Sequence, residues 1–203
     1  MNIEIKISKR RISYKIAMKI LNKRVNELKK NKGKELLWIL EHPTTFTSGV
    51  RASKNEIIDK KISIIKTNRG GKITLHNPGQ KIVYFVINLN KRTKDIRRLV
   101  KIIEKSIIEF LNNYKIFGRT DSKNVGIWVK DKKIAAIGIR VSRWIAYHGC
   151  SINISNNLND YKKIIPCGLD NKKITSMLAE KKKIINQTED KLAKIFLKNI
   201  KNV

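Results

Sequence analysis

The sequence predicts an α+β domain spanning residues 1–203, with short strands and amphipathic helices mixed along one chain. Three observations carry that expectation. Ile3, Ile5 and Ile7 alternate as a strand does. Two stretches repeat apolar residues at helical steps: Tyr14, Ala17, Met18, Leu21, Val25 and Leu28, then Ile96, Leu99, Val100, Ile103, Ile107 and Leu111. Val125 to Ile154 reads as consecutive strands. The 203 residues show no internal repeat and no linker, and they suffice for a substantial core.

Between and after the helices the elements follow in order. Glu35 to Glu41, ELLWILE, has the continuous apolar character of a buried strand and runs into His42-Pro43. HPTTFTSGVRAS, ending at Ser53, reads as a hydroxyl-rich loop, and Ser63 to Lys66 as a short strand. Asn68 to Gln80, NRGGKITLHNPGQ, stands apart in a chain dominated by Lys, Ile and Asn. Its Gly70-Gly71 pair allows close backbone approach. Ile73-Thr74-Leu75 reads as a strand, and Asn77-Pro78-Gly79 as a turn, together a hairpin into the next strand, Ile82 to Leu89. Val125 to Val129 is expected to pair with Ile134 to Val141 across a turn at Asp131-Lys132, and Trp144 to Ile154 to follow as a third strand. A short loop carries Pro166-Cys167-Gly168. The closing helix shows Leu192, Ile195, Phe196 and Ile200 on one face, with Thr188 as its cap and Glu189 and Asp190 at its positive end.

Forty-six Lys and Arg against 16 Asp and Glu give a net charge of +30. Such charge suits nucleic acid, an acidic membrane surface or an acidic protein. Nucleic acid is the weaker reading. The Lys excess is spread along the chain with an excess of Ile and Asn, and no aromatic and basic residues alternate as a single-strand platform requires. No leader-like h-region and no apolar run of membrane-spanning length occurs, so a cytoplasmic location without a membrane partner is expected. Cys150 and Cys167 lack disulfide or CxxC spacing, which suits a reducing compartment. With His42, His76 and His148 they match no zinc pattern, so no metal is expected.

All Pro, His and Cys residues fall in four windows: 42–43, 76–78, 148–150 and 166–167. Four loops or strand ends converging on one pocket would explain that clustering. Cys167, between Pro and Gly, is the candidate nucleophile, although most free thiols are buried and inert. Cys150, inside a strand pattern, fits the inert role better. Lys133 opens KIAAIGIRV, where Ala135, Ala136 and Gly138 leave a narrow strand surface for a thin aliphatic chain. A lysine there can favour a thiolate as a cation or take up a proton once desolvated, or it is one more solvated lysine beside Lys132. His76 and His148 read first as hydrogen-bonded structural residues.

These windows, in this order, resemble the lipoyl(octanoyl) transferases, which load octanoyl groups onto lipoyl domains. The pieces that carry the resemblance are EHPTTFTSG at Glu41, RGGKITLHNPGQ at Arg69, GIWV and KIAAIGIRVSRWIAYHG between Gly126 and Gly149, IIPCGL at Ile164 and ITSM at Ile174. Asn77 replaces a usual Gly, and Cys150 stands where a bulky apolar residue is common. The resemblance implies an acyltransferase with no cofactor, in which Cys167 carries the acyl group as a thioester and Lys133 is its partner. It implies substrate contacts from Arg69, Gly70, Gly71, Lys72, Ile73, Thr74, Leu75 and His76. Further contacts would come from Ala136, Ile137 and Gly138 and from Gly149, Cys150 and Ser151. The implied donor is octanoyl-acyl carrier protein. The implied acceptors are lipoyl domains of 2-oxoacid dehydrogenase complexes and the glycine cleavage H protein. The fold implied is a mixed β-sheet with flanking helices, similar to the catalytic domains of biotin protein ligases and lipoate ligases. An ATP-dependent ligase of that fold is the alternative, and Pro166-Cys167-Gly168 favours transfer.

Overall fold

A computed structural model describes residues 2–122, 124–166, 174–181 and 186–203. The opening strand β1 (Ile3–Ile7) leads to helix α1 (Tyr14–Lys29), whose first turn is capped where Ser13 Oγ accepts from Ile16 N at 3.4 Å. Next come β2 (Glu35–Leu40), β3 (Thr45–Ser48), β4 (Ile64–Lys66), β5 (Ile73–His76) and β6 (Gln80–Asn88). Helix α2 (Ile96–Asn112) is followed by β7 (Arg119–Thr120), β8 (Ile127–Val129), β9 (Lys132–Ser142) and β10 (Ile145–Asn153). Two further helices, α3 (Met177–Lys181) and α4 (Thr188–Ile200), close the chain.

Seven strands form the main sheet in the order β1-β2-β6-β10-β9-β8-β7, and β4-β3-β5 form a second one. Among the described strands only β1 with β2 and β3 with β4 run parallel, so both sheets are mixed, as expected. The helical stripes dictate the layers. Ala17, Leu21, Val25 and Leu28 of α1 meet Leu36, Trp38, Leu40 and Val86 on one face of the main sheet. Leu99, Ile103, Ile107 and Phe110 of α2, with Leu192 and Phe196 of α4, cover Leu37, Ile39, Val83, Phe85 and Ile152 on the other. Each fully buried Leu, Ile or Phe contributes about 1.5–3 kcal/mol, which makes these two seams the main stabilising contacts.

Four expectations change. The hydroxyl-rich loop contains β3, which β4 and β5 hold from either side; a lone Phe46 among Thr and Ser gave no alternation to read. Residues 73–89 are not a hairpin. Strand β5 pairs with β3, whereas both edges of β6 are taken by β2 and β10. The Asn77-Pro78-Gly79 turn therefore carries the chain from one sheet to the other. It is tied there by Gly79 N donating to Glu41 Oε2 at 2.9 Å and by Gly79 O accepting from Ile154 N and Ser155 N. The β8–β9 turn lies at Lys130-Asp131, one residue early, with Lys130 at φ 55°. Thr188 is the first residue of α4 rather than its cap: Gln187, at φ 53°, occupies that position, and Thr188 Oγ1 donates to Glu189 Oε2 at 3.4 Å.

Candidate active site

Lys133, second residue of β9, is 5 % exposed despite its charge. Its Nζ donates to Val125 O at 2.9 Å and lies 5.5 Å from the centre of the Trp128 ring. Trp128 is itself fixed, its Nε1 donating to Asn124 O at 3.0 Å. Among the described residues no carboxylate is paired with Lys133. Among the described residues, a carbonyl and an aromatic face are the partners of an ammonium that can donate three hydrogen bonds.

The chain on either side of Cys167 meets this lysine. Pro166 and Ile174 line one small void together with Lys133 and Ala136. Ile174 bridges Lys133 in parallel, and Thr175 N donates to Lys133 O at 3.0 Å. Residues Cys167 and Gly168 lie outside the described residues.

From Lys133 a cavity of about 320 Å3 runs between the two sheets. One wall is β9 and β10, through Ala136, Ile137, Gly138, His148, Gly149, Cys150 and Ser151. The opposite wall is Arg69, Gly70, Gly71 and Lys72, with Thr74 and His76 of β5. Gly70 N donates to Ile139 O at 3.2 Å, and a Cβ on Gly70 would stand 2.9 Å from that same oxygen. The glycine thus allows the contact that closes the walls together. Gly138 faces this loop from the strand: a Cβ there would come within 3.2 Å of Gly70 O. Arg69 secures the loop from behind, Nη2 donating to Thr47 O and Thr47 Oγ1, both at 2.9 Å.

Alternation along β5 sorts the expected contacts. Thr74 and His76 line the cavity, whereas Ile73 and Leu75 turn the other way into a cluster with Phe46, Tyr161 and Ile164. Ile73 and Leu75 are therefore core residues rather than lining. The small-residue strand is also divided. Ala135 packs in the main core, which leaves Ala136 and Gly138 to the cavity, and the carbonyl of Gly70 takes part of the room beside Gly138. Cys150 borders the cavity but packs in the core, and burial pushes its thiol well up.

The histidines are structural in their bonding. His42 Nε2 meets Tyr84 Oη at 2.9 Å, and its ring lies 5.7 Å from that of His76. His76 Nδ1 meets Gln80 Oε1 at 2.8 Å, and the ring stacks on Tyr14. Burial brings the pKa of His42 down to about 4 and that of His76 to about 3, with the neighbouring His42 adding to the latter. His148 sits at φ 70°, a left-handed conformation rare for a non-glycine residue in mid-strand. Its ring stacks on that of its chain neighbour Tyr147 at 4.9 Å, although consecutive strand residues ordinarily face opposite ways. Nε2 of His148 meets Asn68 Oδ1 at 2.8 Å, and burial brings the pKa to about 4.

Two windows, 76–78 and 148–150, thus reach one cavity directly. His42 stands behind it, and Pro166 lies in the adjoining void. Tyr14, Arg51, Ile82, Tyr84, Asn124 and Val125 also line the cavity and were not singled out from sequence. Tyr14 and Tyr84 sit inside apolar patterns, where a phenol looks like core.

The model of the lipoyl protein ligase A/B catalytic domain matches residues 13–200. The chain belongs to that family. Relatives in it named octanoyltransferase include one from Wolbachia pipientis wMel, 40% identical over 198 residues that cover 95% of this chain and 97% of that protein. Another, from Anaplasma phagocytophilum, is 38% identical and covers 98% of this chain and 99% of that protein. Among solved structures, a lipoate-protein ligase A bound with ATP superposes with a TM-score of 0.76 at 14% identity, over 98% of this chain and 86% of that one. A biotin protein ligase from Aquifex aeolicus gives 0.57 at 15% identity, over 99% and 71%. At such low identity these likenesses show the fold, which is the one the sequence led us to expect. No described helix is long and apolar enough to cross a membrane.

Proposed function

We propose that this chain is an octanoyltransferase of protein lipoylation, a single catalytic domain that moves an octanoyl group onto a lysine of a lipoyl domain. Relatives that share about 40% of its residues over nearly the whole chain bear that name. The observation that carries the mechanism is the meeting of Lys133 with Pro166 and Ile174, the two ends of the segment holding Cys167.

The reaction proceeds in two balanced steps. The Cys167 thiolate attacks the carbonyl carbon of octanoyl on a carrier-protein pantetheine, and the pantetheine sulfur leaves with a proton from Lys133. One thioester replaces another at nearly equal free energy, so no nucleotide is consumed. The acceptor lysine, with a reference pKa of about 10.4, arrives mostly protonated and must lose a proton to attack. Neutral Lys133 takes that proton, the attacking nitrogen gives up its second proton to solvent as the amide forms, and the Cys167 thiolate is released. The acyl chain lies along Ala136–Gly138 under the Arg69–Lys72 loop. The positive surface favours an acidic carrier as donor.

Intact mass after mixing with octanoyl-carrier protein tests the first step. The wild type gains one octanoyl group and Cys167→Ser gains none; a Cys167→Ala protein that still transfers at the full rate would overturn the reading. Full activity with free octanoate plus ATP in place of the carrier would indicate a ligase instead.

A further inference from the structure

The side chain of Lys133 occupies a notch that one glycine keeps open. Gly126 has φ 139°, in the region that L side chains rarely adopt. A Cβ on it would stand 2.5 Å from Lys133 Cε, 2.6 Å from Ala135 O and 3.1 Å from Lys133 Nζ. The preceding residue, Val125, supplies the carbonyl that receives Nζ, and Trp128, two residues on, supplies the aromatic floor. The ladder slips here: Ile127 pairs with Ala135, yet Trp128 pairs with Lys133, an irregularity between Ile127 and Trp128. Such a slip re-aims neighbouring groups. Carbonyl, notch and ring thus come from four consecutive residues and act on one side chain.

We propose that Gly126 is a positioning residue of the transfer reaction: it holds the Lys133 ammonium toward the void lined by Pro166 by leaving open a path for the lysine stem that a Cβ at position 126 would block. The inference rests on the proposed role of Lys133 and adds what sets its geometry. A methyl group at position 126 cannot coexist with Cε as placed, so the lysine must leave the notch. The lysine stem is long and flexible, whereas Ala135 O, 2.6 Å from the same Cβ, is backbone, so the substitution also strains the β8–β9 ladder.

The test is a double-mutant cycle on Gly126→Ala and Lys133→Ala, read by single-turnover transfer and by the alkylation rate of Cys167 at pH 7. Cys150 is buried and does not contribute to alkylation. Lys133→Ala is expected to slow alkylation about tenfold, as loss of a nearby cation lowers the thiolate fraction. Gly126→Ala should slow both readouts to a similar extent, and the double variant should be no slower than Lys133→Ala alone. Trp128→Leu, which keeps the glycine and removes the ring, should slow alkylation about threefold and covers the case in which Gly126→Ala folds poorly. Wild-type rates for Gly126→Ala, or losses that multiply in the double variant, overturn the proposal while leaving Lys133 its role. Wild-type rates for Lys133→Ala overturn both.

Discussion

Two lysines withdrawn from solvent, Lys81 on β6 and Lys133 on β9, are held in opposite ways. Lys81 Nζ bridges two carboxylates, Glu41 at 2.7 Å and Glu189 at the start of α4. Burial pulls its pKa down, but the hydrogen bonds to Glu189 and Glu41 outweigh that and hold it above the ordinary lysine value. Lys133 is the more deeply buried and, among the described residues, has a carbonyl and a ring for partners. A lysine that ties elements together has its charge neutralised where it stands. One whose described partners are neutral is held without its charge being quenched, which suits the proposed task of steering a thiolate and passing protons. Burial alone would not distinguish them; the partners do.

The largest effect should come from the second lysine. Lys133→Ala is expected to lower the transfer rate by about 10^2–10^4-fold with little change in melting temperature, measured by octanoyl transfer to a lipoyl domain beside a thermal melt. Equal losses of stability in both lysine variants would erase the distinction.

Next comes acid sensitivity, which the histidines lining and backing the cavity dominate. His42 and His148 have folded pKa values of about 4 and His76 about 3, against about 6.5 when unfolded. Above pH 6.5 neither state binds these protons, and the difference vanishes. As pH falls from 6.5 toward 4, the unfolded chain takes up protons that the fold refuses, so stability is lost by up to ~1.4 kcal/mol per pH unit for each histidine. The Glu189 carboxylate works in a lower window: its pKa is depressed because Lys81 outweighs its burial, so its contribution is lost only below the ordinary carboxylate range. Unfolding free energies measured from pH 7 to 5 should therefore fall, and Lys81→Met should show the same slope. A flat profile would mean that the imidazoles charge in place.

Lys81→Met should cost about 2 kcal/mol, or ~4–8 °C in melting temperature, by leaving Glu41 and Glu189 facing each other, while transfer stays near the wild-type rate. The smallest effect is expected at the exposed pair of Lys198 with Glu109, 2.8 Å apart, where Lys198→Ala should cost less than about 0.5 kcal/mol.

What sequence could reveal follows from the same physics. Periodicity found α1, α2 and α4, because each buries one stripe and little else. Strand β3 and the crossing at Asn77-Pro78-Gly79 escaped notice because their partners are distant in the chain, and a tight turn looks the same whether or not its strands pair. The lining of the cavity was legible as motifs: Arg69–Lys72, Ala136–Gly138 and Gly149–Ser151 all reach it. Within a motif, legibility stopped at the side chain. Ile73 and Leu75 belong to the core because β5 alternates, and the notch at Gly126 depends on a ladder slip that no spacing announces.

One experiment bears most directly on the pairing of a thiol with a neutral-partnered lysine. Enzyme first loaded with octanoyl and freed of donor is mixed with a lipoyl domain, and its intact mass is followed over time, wild type beside Lys133→Ala. The wild type should shed its acyl group onto the acceptor within a turnover while the variant keeps it. Equal discharge from both proteins would contradict the account.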